Sequence, residues 1–365
     1  MNKKLIAFAM TAVLAMGSLT GCVTSQDAAD SSASSASSES AGDENTLNIY
    51  TALEEEQVED YLTEFKEQHP DVTINVTRES TGVITSRLLA EKDNPVADVV
   101  WGLSATSLLQ LKQEGMLEPY APEGVDRIQP QFKDTDETPS WVGIDAWETA
   151  WLVNKEVLAE HGITDIPTSY QDLLDPQYEG LIAMSNPASS GTGLLTVNGV
   201  LALYGDEEGW NYLDELDKNV AVYMHSGSQP ASETAAGEYG IGVSFGYRCL
   251  QAEEEVGSDI CETVFPEEGS GWDMEANAPI KKDTEKDIAK EFLDWAITDN
   301  IMTKYAQNYP IVATGVSDNI PEGYSENPMD QLMDNIDFNK AAENRESILD
   351  QWSERYDAKS APEEE

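Results

Sequence analysis

The sequence has few basic residues for its length. Its 365 residues include 21 Lys and Arg against 69 Asp and Glu, which gives a formal net charge of −48. A chain this acidic repels phosphate backbones and anionic lipid headgroups, so nucleic acid and an anionic membrane surface are excluded as partners. The same field repels an anionic ligand at long range. An anion site in this chain must therefore act locally, through backbone dipoles and hydroxyl groups.

Histidine and cysteine are also scarce, at three residues each. The sequence contains no His-Glu-x-x-His zinc motif and no Walker phosphate loop, and no general base is evident for Ser190. We therefore expect no enzymatic activity, no cofactor and no bound metal. Cys249 and Cys261 are compatible with a disulfide or with two buried thiols, and the sequence leaves both possibilities open.

The N-terminal apolar run, Leu5 to Met16, is too short to cross a bilayer. It is followed by Leu19-Thr-Gly-Cys22, which resembles the lipobox of bacterial lipoproteins. The resemblance implies a signal peptide over residues 1–22 and acyl chains on Cys22, which would hold the protein at a membrane surface. Residues 23–45 are rich in Ser, Ala, Asp and Glu, which is typical of a flexible tether. We expect an exported globular body, lipid-anchored at the extracytoplasmic face of the cell membrane.

The segment Ser185-Asn-Pro-Ala-Ser-Ser-Gly-Thr-Gly193 has the composition of an anion-binding loop. A predicted strand, Leu181 to Met184, precedes it, and a predicted helix, Leu194 to Tyr204, follows it. The first turn of a helix offers unpaired N–H groups and a partly positive dipole end. An ordinary helix cap would give the same pattern. The groups that would contact an anion are Ser189, Ser190, Gly191 and Thr192.

Three strand–loop–helix units precede this segment, with predicted strands beginning near residues 46, 72 and 97. Such a succession predicts an α/β fold with a largely parallel sheet. Ligands of these sheets bind beyond the carboxyl ends of the strands. The loops expected there are Thr51–Glu54, Ser80–Gly82 and Gly102–Ser104.

Two predicted strands cross between this α/β unit and a second one. Trp141 to Asn154 leaves the first unit, and Ala276 to Lys281 returns to it. Two crossings indicate hinged lobes with a central cleft. We predict lobe 1 over residues 46–142 and 277–355, lobe 2 over residues 143–276, and a frayed tail over residues 356–365.

Several segments occur in the chain order of periplasmic-type solute-binding proteins of ABC importers. They are Tyr50–Glu54, Asp98–Leu103, Ser185–Gly193, His225–Ser228 and Gly271–Ala276. The sequence is similar to the ferric-iron-binding-like group of that family, and within it to the branch assigned to 2-aminoethylphosphonate. The resemblance implies a two-lobed type II periplasmic-binding-protein fold and delivery of a solute to an ABC permease.

The sequence departs from the iron binders of this group at one informative place. Those proteins close on ferric iron with an adjacent tyrosine pair, whereas this chain has Phe245-Gly-Tyr247, and its first loop has no histidine. Ferric iron requires several anionic oxygen ligands. We therefore expect that the ligand is not iron.

The remaining candidates suit a small zwitterion. Hydroxyl and backbone donors match a phosphonate, and acidic and aromatic side chains match an ammonium group. The candidate ligand-binding residues are Thr51, Leu53, Glu54, Ser80, Thr81, Trp101, Asp145, Trp147, Ser189, Ser190, Gly191, Thr192, His225, Ser226, Phe245, Tyr247, Trp272, Asp273 and Glu275.

Other ligands and one other role stay open. A sugar phosphate, inorganic phosphate, a polyamine or ferric iron are the alternative ligands. The chain could also present its ligand to a membrane sensor instead of a permease. We expect a monomer in either role.

Overall fold

The computed structural model describes residues 44–318 and 320–362. The predicted signal peptide with Cys22, and the tether up to residue 43, lie outside the described residues and stay predictions. In the described part of the chain, no helix combines the length and the apolar character needed to cross a membrane.

Strands and helices alternate along most of the chain, as the sequence predicts. The strands are β1 (Thr46–Thr51), β2 (Thr73–Arg78), β3 (Val99–Ser104), β4 (Val142–Asn154), β5 (Ile182–Ser185), β6 (Val220–Met224), β7 (Ile241–Phe245), β8 (Cys261–Val264), β9 (Trp272–Pro279), β10 (Ile311–Val312) and β11 (Gly315–Val316). The helices are α1 (Glu55–Gln68), α2 (Thr81–Ala90), α3 (Ala105–Gln113), α4 (Lys155–Glu160), α5 (Gly191–Tyr204), α6 (Asp206–Asp217), α7 (Gln229–Ala235), α8 (Gly246–Val256), α9 (Asp287–Trp295), α10 (Asp299–Tyr305) and α11 (Phe338–Tyr356).

Local sequence explains the first of these helices. α1 buries Val58, Tyr61, Leu62 and Phe65, whose spacing places them on one face of a helix. The helix ends at Gln68, two residues before Pro70, because proline restricts the conformation of the residue before it and cannot continue the hydrogen-bond pattern. The helix of the first predicted strand–loop–helix unit is confirmed.

The strands form one mixed sheet in the order β2-β1-β3-β9-β4-β7-β5-β6, with β8 and β10 beside β4 and β11 beside β10. β1 is parallel to β2 and β3, and β5 is parallel to β6 and β7. The central strands β9 and β4 are antiparallel to their neighbours. The predicted α/β class is confirmed, and the parallel pairings are confined to the two sides of the sheet.

Strand β4 connects two hydrophobic cores. All 13 of its residues are buried. Its first half, up to Glu148, pairs with β9, and its second half, from Thr149, pairs with β7 and β8. The first core collects residues between 47 and 146 and between 274 and 313, and the second collects residues between 151 and 264 and between 333 and 356. The predicted crossing strand therefore runs from one core to the other, while the lobe boundaries stay a prediction.

Two segments that the sequence presents as loops belong to strands. Gly102 to Ser104 ends β3, and Gly102 has a left-handed φ of 63° that brings its backbone against the Leu53 side chain. β9 begins at Trp272 because its pairing with β4 extends to that residue. The residues from Trp272 to Glu275 are therefore strand residues. The directions of their side chains depend on how β9 pairs within the sheet.

Helix α11 reaches from one core to the other. Phe338 packs against the first core, whereas Ile348 and Trp352 are buried in the second. The prediction assigned all of residues 277–355 to lobe 1, but the end of this helix packs with the second core instead.

The tail after α11 is packed against β6, where fraying was expected. Tyr356 is 3% exposed. The Lys359 ammonium donates to the carbonyl oxygen of Val220 at 2.9 Å, and Ser360 forms a parallel bridge with Tyr223. The edge of β6 offers unpaired backbone groups, and the tail satisfies some of them.

Cys249 and Cys261 are free thiols, so the second of the two possibilities left open by the sequence holds. Both side chains are fully buried in a small apolar cluster with Ala150 and Leu152. Burial among apolar groups is the ordinary state of a structural cysteine.

Candidate functional site

One pocket is lined by loops that follow strands of both hydrophobic cores. Its empty volume is about 430 Å³, including its open mouth. It lies where β1, β2, β6 and β7 end and where α5 begins, which is the place that the α/β fold predicts for a ligand. Its lining residues are Ala52, Glu54, Arg78, Ser80, Thr81, Trp147, Ser190, Gly191, Thr192, Ser226, Gly227, Phe245, Glu275 and Tyr309.

The start of α5 supplies polar hydrogens to this pocket. Ser190 is the N-cap residue, and its Oγ accepts a hydrogen bond from the Gly193 N–H at 3.3 Å, which leaves the hydroxyl hydrogen free to donate. Gly191 and Thr192 follow it, and both line the pocket. First-turn N–H groups have no partner within the helix. The anion-binding geometry predicted for this loop is therefore present in the fold, and its occupation by an anion stays a prediction.

Glycines allow three loops to approach closely around these hydroxyls. A Cβ on Gly227 would overlap the Thr192 hydroxyl and would lie 3.1 Å from Ser190 Oγ. A Cβ on Gly191 would lie 2.6 Å from Thr81 Oγ1, and Gly82 donates its N–H to the Ser189 carbonyl oxygen at 2.9 Å. The loops of the two cores thus touch across the pocket.

The pocket also contains an acidic end. Glu275 on β9 lines it and is 9% exposed, and it lies directly opposite Asp145 on β4. Both oxygens of Asp145 and the Oε2 of Glu275 find no donor group among the described residues, and a hydrogen bond between the two carboxyls requires that one of them carries a proton. Burial raises the pKa of Glu275 well above its ordinary value, and repulsion by Asp145 and Glu54 raises it further. Burial likewise raises the pKa of Asp145, so the pair resists full ionisation.

Glu54 already has a cationic partner. Arg78 Nη2 donates to Glu54 Oε2 at 2.8 Å, and Arg78 Nε donates to the Leu53 carbonyl oxygen at 3.0 Å. Burial raises the pKa of the Glu54 carboxyl, while Arg78 opposes that rise. Arg78 therefore brings a guanidinium to the pocket without leaving it unpaired.

Two aromatic rings form one wall of the pocket. Trp147 and Phe245 meet edge to face, with ring centroids 5.9 Å apart. Such a wall suits an alkyl chain or an ammonium group. Tyr247 lies behind it, with its ring centroid 6.4 Å from that of Phe245, and does not line the pocket.

The structure brings about half of the predicted residues into the pocket. These are Glu54, Ser80, Thr81, Trp147, Ser190, Gly191, Thr192, Ser226, Phe245 and Glu275. Asp145 lies opposite Glu275 on the neighbouring strand and does not line the pocket itself. The others occupy different places.

The residues predicted from β1 and β3 are buried in the first core. Trp101 is 0% exposed, and its indole N–H donates to the Tyr305 hydroxyl at 3.0 Å. Leu53 is 0% exposed, and Thr51 Oγ1 accepts a hydrogen bond from the Leu53 N–H at 3.2 Å. The prediction places these three residues in the cleft, but none of them lines the pocket.

Asp273 and Trp272 belong to β9 but do not line the pocket, and their side chains bind other partners. Asp273 accepts a hydrogen bond from Thr106 Oγ1 at 2.6 Å and another from the Met274 N–H, and burial raises its pKa to about 6. The Trp272 indole N–H donates to the Met333 carbonyl oxygen at 2.8 Å. Both side chains are thus held by residues outside the pocket.

Ser189 and His225 support the pocket from outside. Ser189 Oγ donates to the carbonyl oxygen of His225 at 2.8 Å. The His225 ring nitrogen Nε2 donates to the carbonyl oxygen of Ala361 at 2.9 Å. Both residues connect loops and do not line the pocket itself.

The sequence reasoning missed Ala52, Arg78, Gly227 and Tyr309. The place of Arg78 could be predicted from the sequence, because Arg78 ends a parallel strand shortly before the predicted Ser80 loop. Tyr309 has no such signal, since it follows α10, far along the chain, and its hydroxyl accepts a hydrogen bond from Gln57 at 3.3 Å.

The pattern Gly242-Val-Ser-Phe-Gly246 also escaped the sequence reasoning. It matches the Gly-x-Ser-x-Gly motif of hydrolase nucleophiles. In the structure Ser244 lies in β7, is 0% exposed and donates its hydroxyl to the Gly227 carbonyl oxygen at 2.6 Å. This serine is therefore a structural residue that fixes Gly227.

Comparison with known sequences identifies one family and several related proteins. The model of the family "Bacterial extracellular solute-binding protein" matches residues 60–329. An uncharacterised protein of Haemophilus influenzae is 30% identical over 293 residues, which cover 77% of this chain and 82% of that protein. A probable ABC transporter periplasmic-binding protein of Sinorhizobium fredii, y4fP, is 26% identical over 68% of this chain and 67% of its own length.

Solved structures agree with these sequence matches. The periplasmic binding protein AfuA from Actinobacillus pleuropneumoniae, with fructose-6-phosphate bound, superposes with a TM-score of 0.78 at 26% identity, covering 86% of this chain and 98% of AfuA. The periplasmic binding protein P5PA gives 0.75 at 25% identity, covering 85% and 99% of the two chains. Iron-bound HitA from Pseudomonas aeruginosa gives 0.69 at 19% identity over 84% of this chain and 98% of HitA, which supports the type II fold alone.

Proposed function

Because this chain belongs to the family of bacterial extracellular solute-binding proteins, we propose that it captures a small phosphonate- or phosphate-bearing solute and delivers it to the permease of an ABC importer. The ligand that we propose is 2-aminoethylphosphonate. Acyl chains on Cys22 would hold the protein at the extracytoplasmic face of the cell membrane, beside the permease. The observation that carries the proposal is a pocket with a helix start at one part of its wall and, at another, a buried carboxyl oxygen that no donor group of the described residues reaches.

The helix start provides the anion-binding part. Ser190 and Thr192 at the start of α5 and Ser80 and Thr81 at the start of α2 all line the same pocket. Their hydroxyls and the first-turn amides of α5 are the donors that we assign to the anion. Tetrahedral oxyanions accept several hydrogen bonds from such groups, and each bond to a charged group contributes roughly 1.5–3 kcal/mol. The likeness to AfuA, whose structure contains fructose-6-phosphate, favours a ligand of the phosphate type.

Glu275 provides the cation-binding part. Its Oε2 finds no donor group among the described residues, and Glu54 is occupied by Arg78. A ligand ammonium would donate to Glu275 and relieve its repulsion with Asp145. A sugar phosphate is the second candidate, because its hydroxyl groups could donate to the same carboxyl, and the likeness to AfuA favours it.

Calorimetric titration with matched ligands tests this proposal. We expect 2-aminoethylphosphonate to bind more tightly than ethylphosphonate, which lacks the amine, and more tightly than fructose 6-phosphate. Glu275→Gln should weaken 2-aminoethylphosphonate binding by roughly ten- to a hundredfold and leave ethylphosphonate binding unchanged. Glu59→Gln removes the same charge from the exposed face of α1 and should change neither affinity.

The results separate the alternatives. If fructose 6-phosphate bound more tightly than either phosphonate, the proposed ligand would be wrong. The assignment of the anion to the start of α5 would stand. If Glu275→Gln weakened the binding of both phosphonates equally, Glu275 would not be the residue that binds the amine. If no phosphorus-bearing ligand bound, the proposed function would be wrong.

A further inference from the structure

The C-terminal tail extends the sheet at the edge of β6, next to the pocket. Ala361 donates its N–H to the Tyr223 carbonyl oxygen at 2.8 Å, and its own carbonyl oxygen accepts the hydrogen bond from the His225 ring. Ser360 Oγ accepts a hydrogen bond from Asn186 Nδ2 at 2.9 Å. Two consecutive tail residues therefore reach the loops that follow β5 and β6.

Asn186 links the tail to the anion-binding loop. Its side-chain oxygen accepts a hydrogen bond from the Ala188 N–H at 2.8 Å, and its carbonyl oxygen accepts one from the Ser190 N–H at 2.9 Å. Asn186 is 7% exposed, so these partners are the ones that satisfy its amide. The bond to Ser360 fixes which way the amide is turned.

His225 provides the second link between the tail and the anion-binding loop. Its ring is bound to the tail, and its carbonyl oxygen holds Ser189 Oγ, which belongs to the same loop. His225 also precedes Ser226 and Gly227, which line the pocket. The tail thus has two separate connections to the groups that surround the proposed anion.

We propose that Ser360 and Ala361 act as positioning residues for the ligand pocket. They hold Asn186 and His225, and these hold the loop from Ser185 to Gly193 in the arrangement that presents Ser190 and Thr192. Fixing donors before a ligand arrives reduces the ordering cost of binding. The ligand part of the proposal rests on the proposed function, whereas the effect on the loop does not.

A full-length double variant, Ser360→Ala with Ala361→Pro, tests the inference. It removes the side-chain contact to Asn186 and the N–H that bonds to Tyr223. The matched control is Lys359→Ala, which removes contacts from the same tail to Asp217 and Val220 at the other end of β6. Both variants loosen the tail, but only the first acts on the pocket loops.

Hydrogen exchange of the ligand-free protein is the first measurement. In the double variant we expect the amides of Ala188 and Ser190 to exchange about tenfold faster, while Lys359→Ala leaves them unchanged. Calorimetry with 2-aminoethylphosphonate is the second, and we expect about tenfold weaker binding in the double variant alone, which corresponds to about 1.4 kcal/mol.

Unchanged exchange of these amides in the double variant, or an equal increase in Lys359→Ala, would overturn the proposal. Faster exchange without any binding of 2-aminoethylphosphonate to the unmodified protein would support the tail's role and refute the proposed ligand. The two failures are therefore distinguishable.

Discussion

Adding one methyl group at Gly227 should prevent capture of the ligand and leave the fold intact. The backbone of Gly227 is outside the left-handed region, so alanine adopts it without strain. The new Cβ would overlap the Thr192 hydroxyl and lie 3.0 Å from Thr192 Cβ and 3.1 Å from Ser190 Oγ. All three atoms belong to side chains that we assign to the anion. Thr192 therefore has to turn its hydroxyl away, and Ser190 has to shift.

The magnitude follows from the hydrogen bonds that are lost. One bond to a charged group contributes roughly 1.5–3 kcal/mol, and Gly227→Ala displaces at least the Thr192 donor. Affinity for 2-aminoethylphosphonate should fall by roughly ten- to a hundredfold. The Thr192 Cβ does not move on rotation about χ1 and must also shift slightly, so we expect a loss of stability of about 1–3 kcal/mol, the usual cost of overpacking.

Calorimetric titration measures the affinity, and a thermal unfolding scan checks the fold. Thr192→Val removes the same hydroxyl without adding volume, so it should lose a similar part of the affinity. Thr196→Val serves as the control, because it removes a hydroxyl one turn later on α5 that donates to the Thr192 carbonyl oxygen and does not line the pocket. Full affinity in Gly227→Ala would refute the assignment of the anion to these hydroxyls.

Two further predictions concern Glu148 and Cys22. Burial raises the pKa of Glu148 to about 8, whereas its ordinary value is 4.5, so the unfolded chain ionises first and the folded protein loses stability as pH rises between these values. Glu148→Gln should remove that loss, which amounts to a few kcal/mol at pH 8, and denaturant unfolding between pH 5 and pH 8 measures it; parallel profiles of both proteins would contradict the assignment. Cys22→Ser should release the protein from membranes, and continued sedimentation of the variant with the membrane fraction would show that Cys22 is not the anchor.

The sequence predicted those parts of the site that depend on local chemistry. Ser190 precedes a helix and follows a strand within a few residues, so its role as an N-cap follows from its neighbours alone. The same holds for Ser80 and Thr81, which lie at the carboxyl end of β2 and the start of α2. The rule that ligands bind beyond the carboxyl ends of parallel strands then placed both loops at one pocket before their contacts were known.

The acidic end could not be predicted with the same certainty, because it depends on strand pairing. Asp273 and Glu275 are two residues apart, and only the sheet decides that Thr106 binds the first while the second faces the pocket. The register of β4 against β9 also shifts between Gly143 and Asp145, where β4 has one extra residue, so the identity of the β4 residue opposite Glu275 depends on this irregularity. Nothing in the local sequence indicates this shift.

Tyr309 and the tail illustrate a second limit, which is contact across long chain separations. Tyr309 reaches the pocket from a segment 252 residues after its hydrogen-bond partner Gln57. The tail is predicted to be frayed, yet Ser360 meets Asn186 across 174 residues. Such pairings depend on the whole topology, and a single sequence contains no local signal for them.

The overall acidity of the chain and its proposed preference for a zwitterion are compatible for a physical reason. A net charge of −48 disfavours a bare anion at a distance, and Arg78 in the pocket is already paired with Glu54. Burial and mutual repulsion raise the pKa values of Glu275 and Asp145, which opposes full ionisation of the pair beside the pocket. A ligand that carries an ammonium group would stabilise their ionised forms, whereas inorganic phosphate would add negative charge beside them. In the proposed complex the acidic pair therefore favours a phosphonate that brings its own cation over a phosphate that does not.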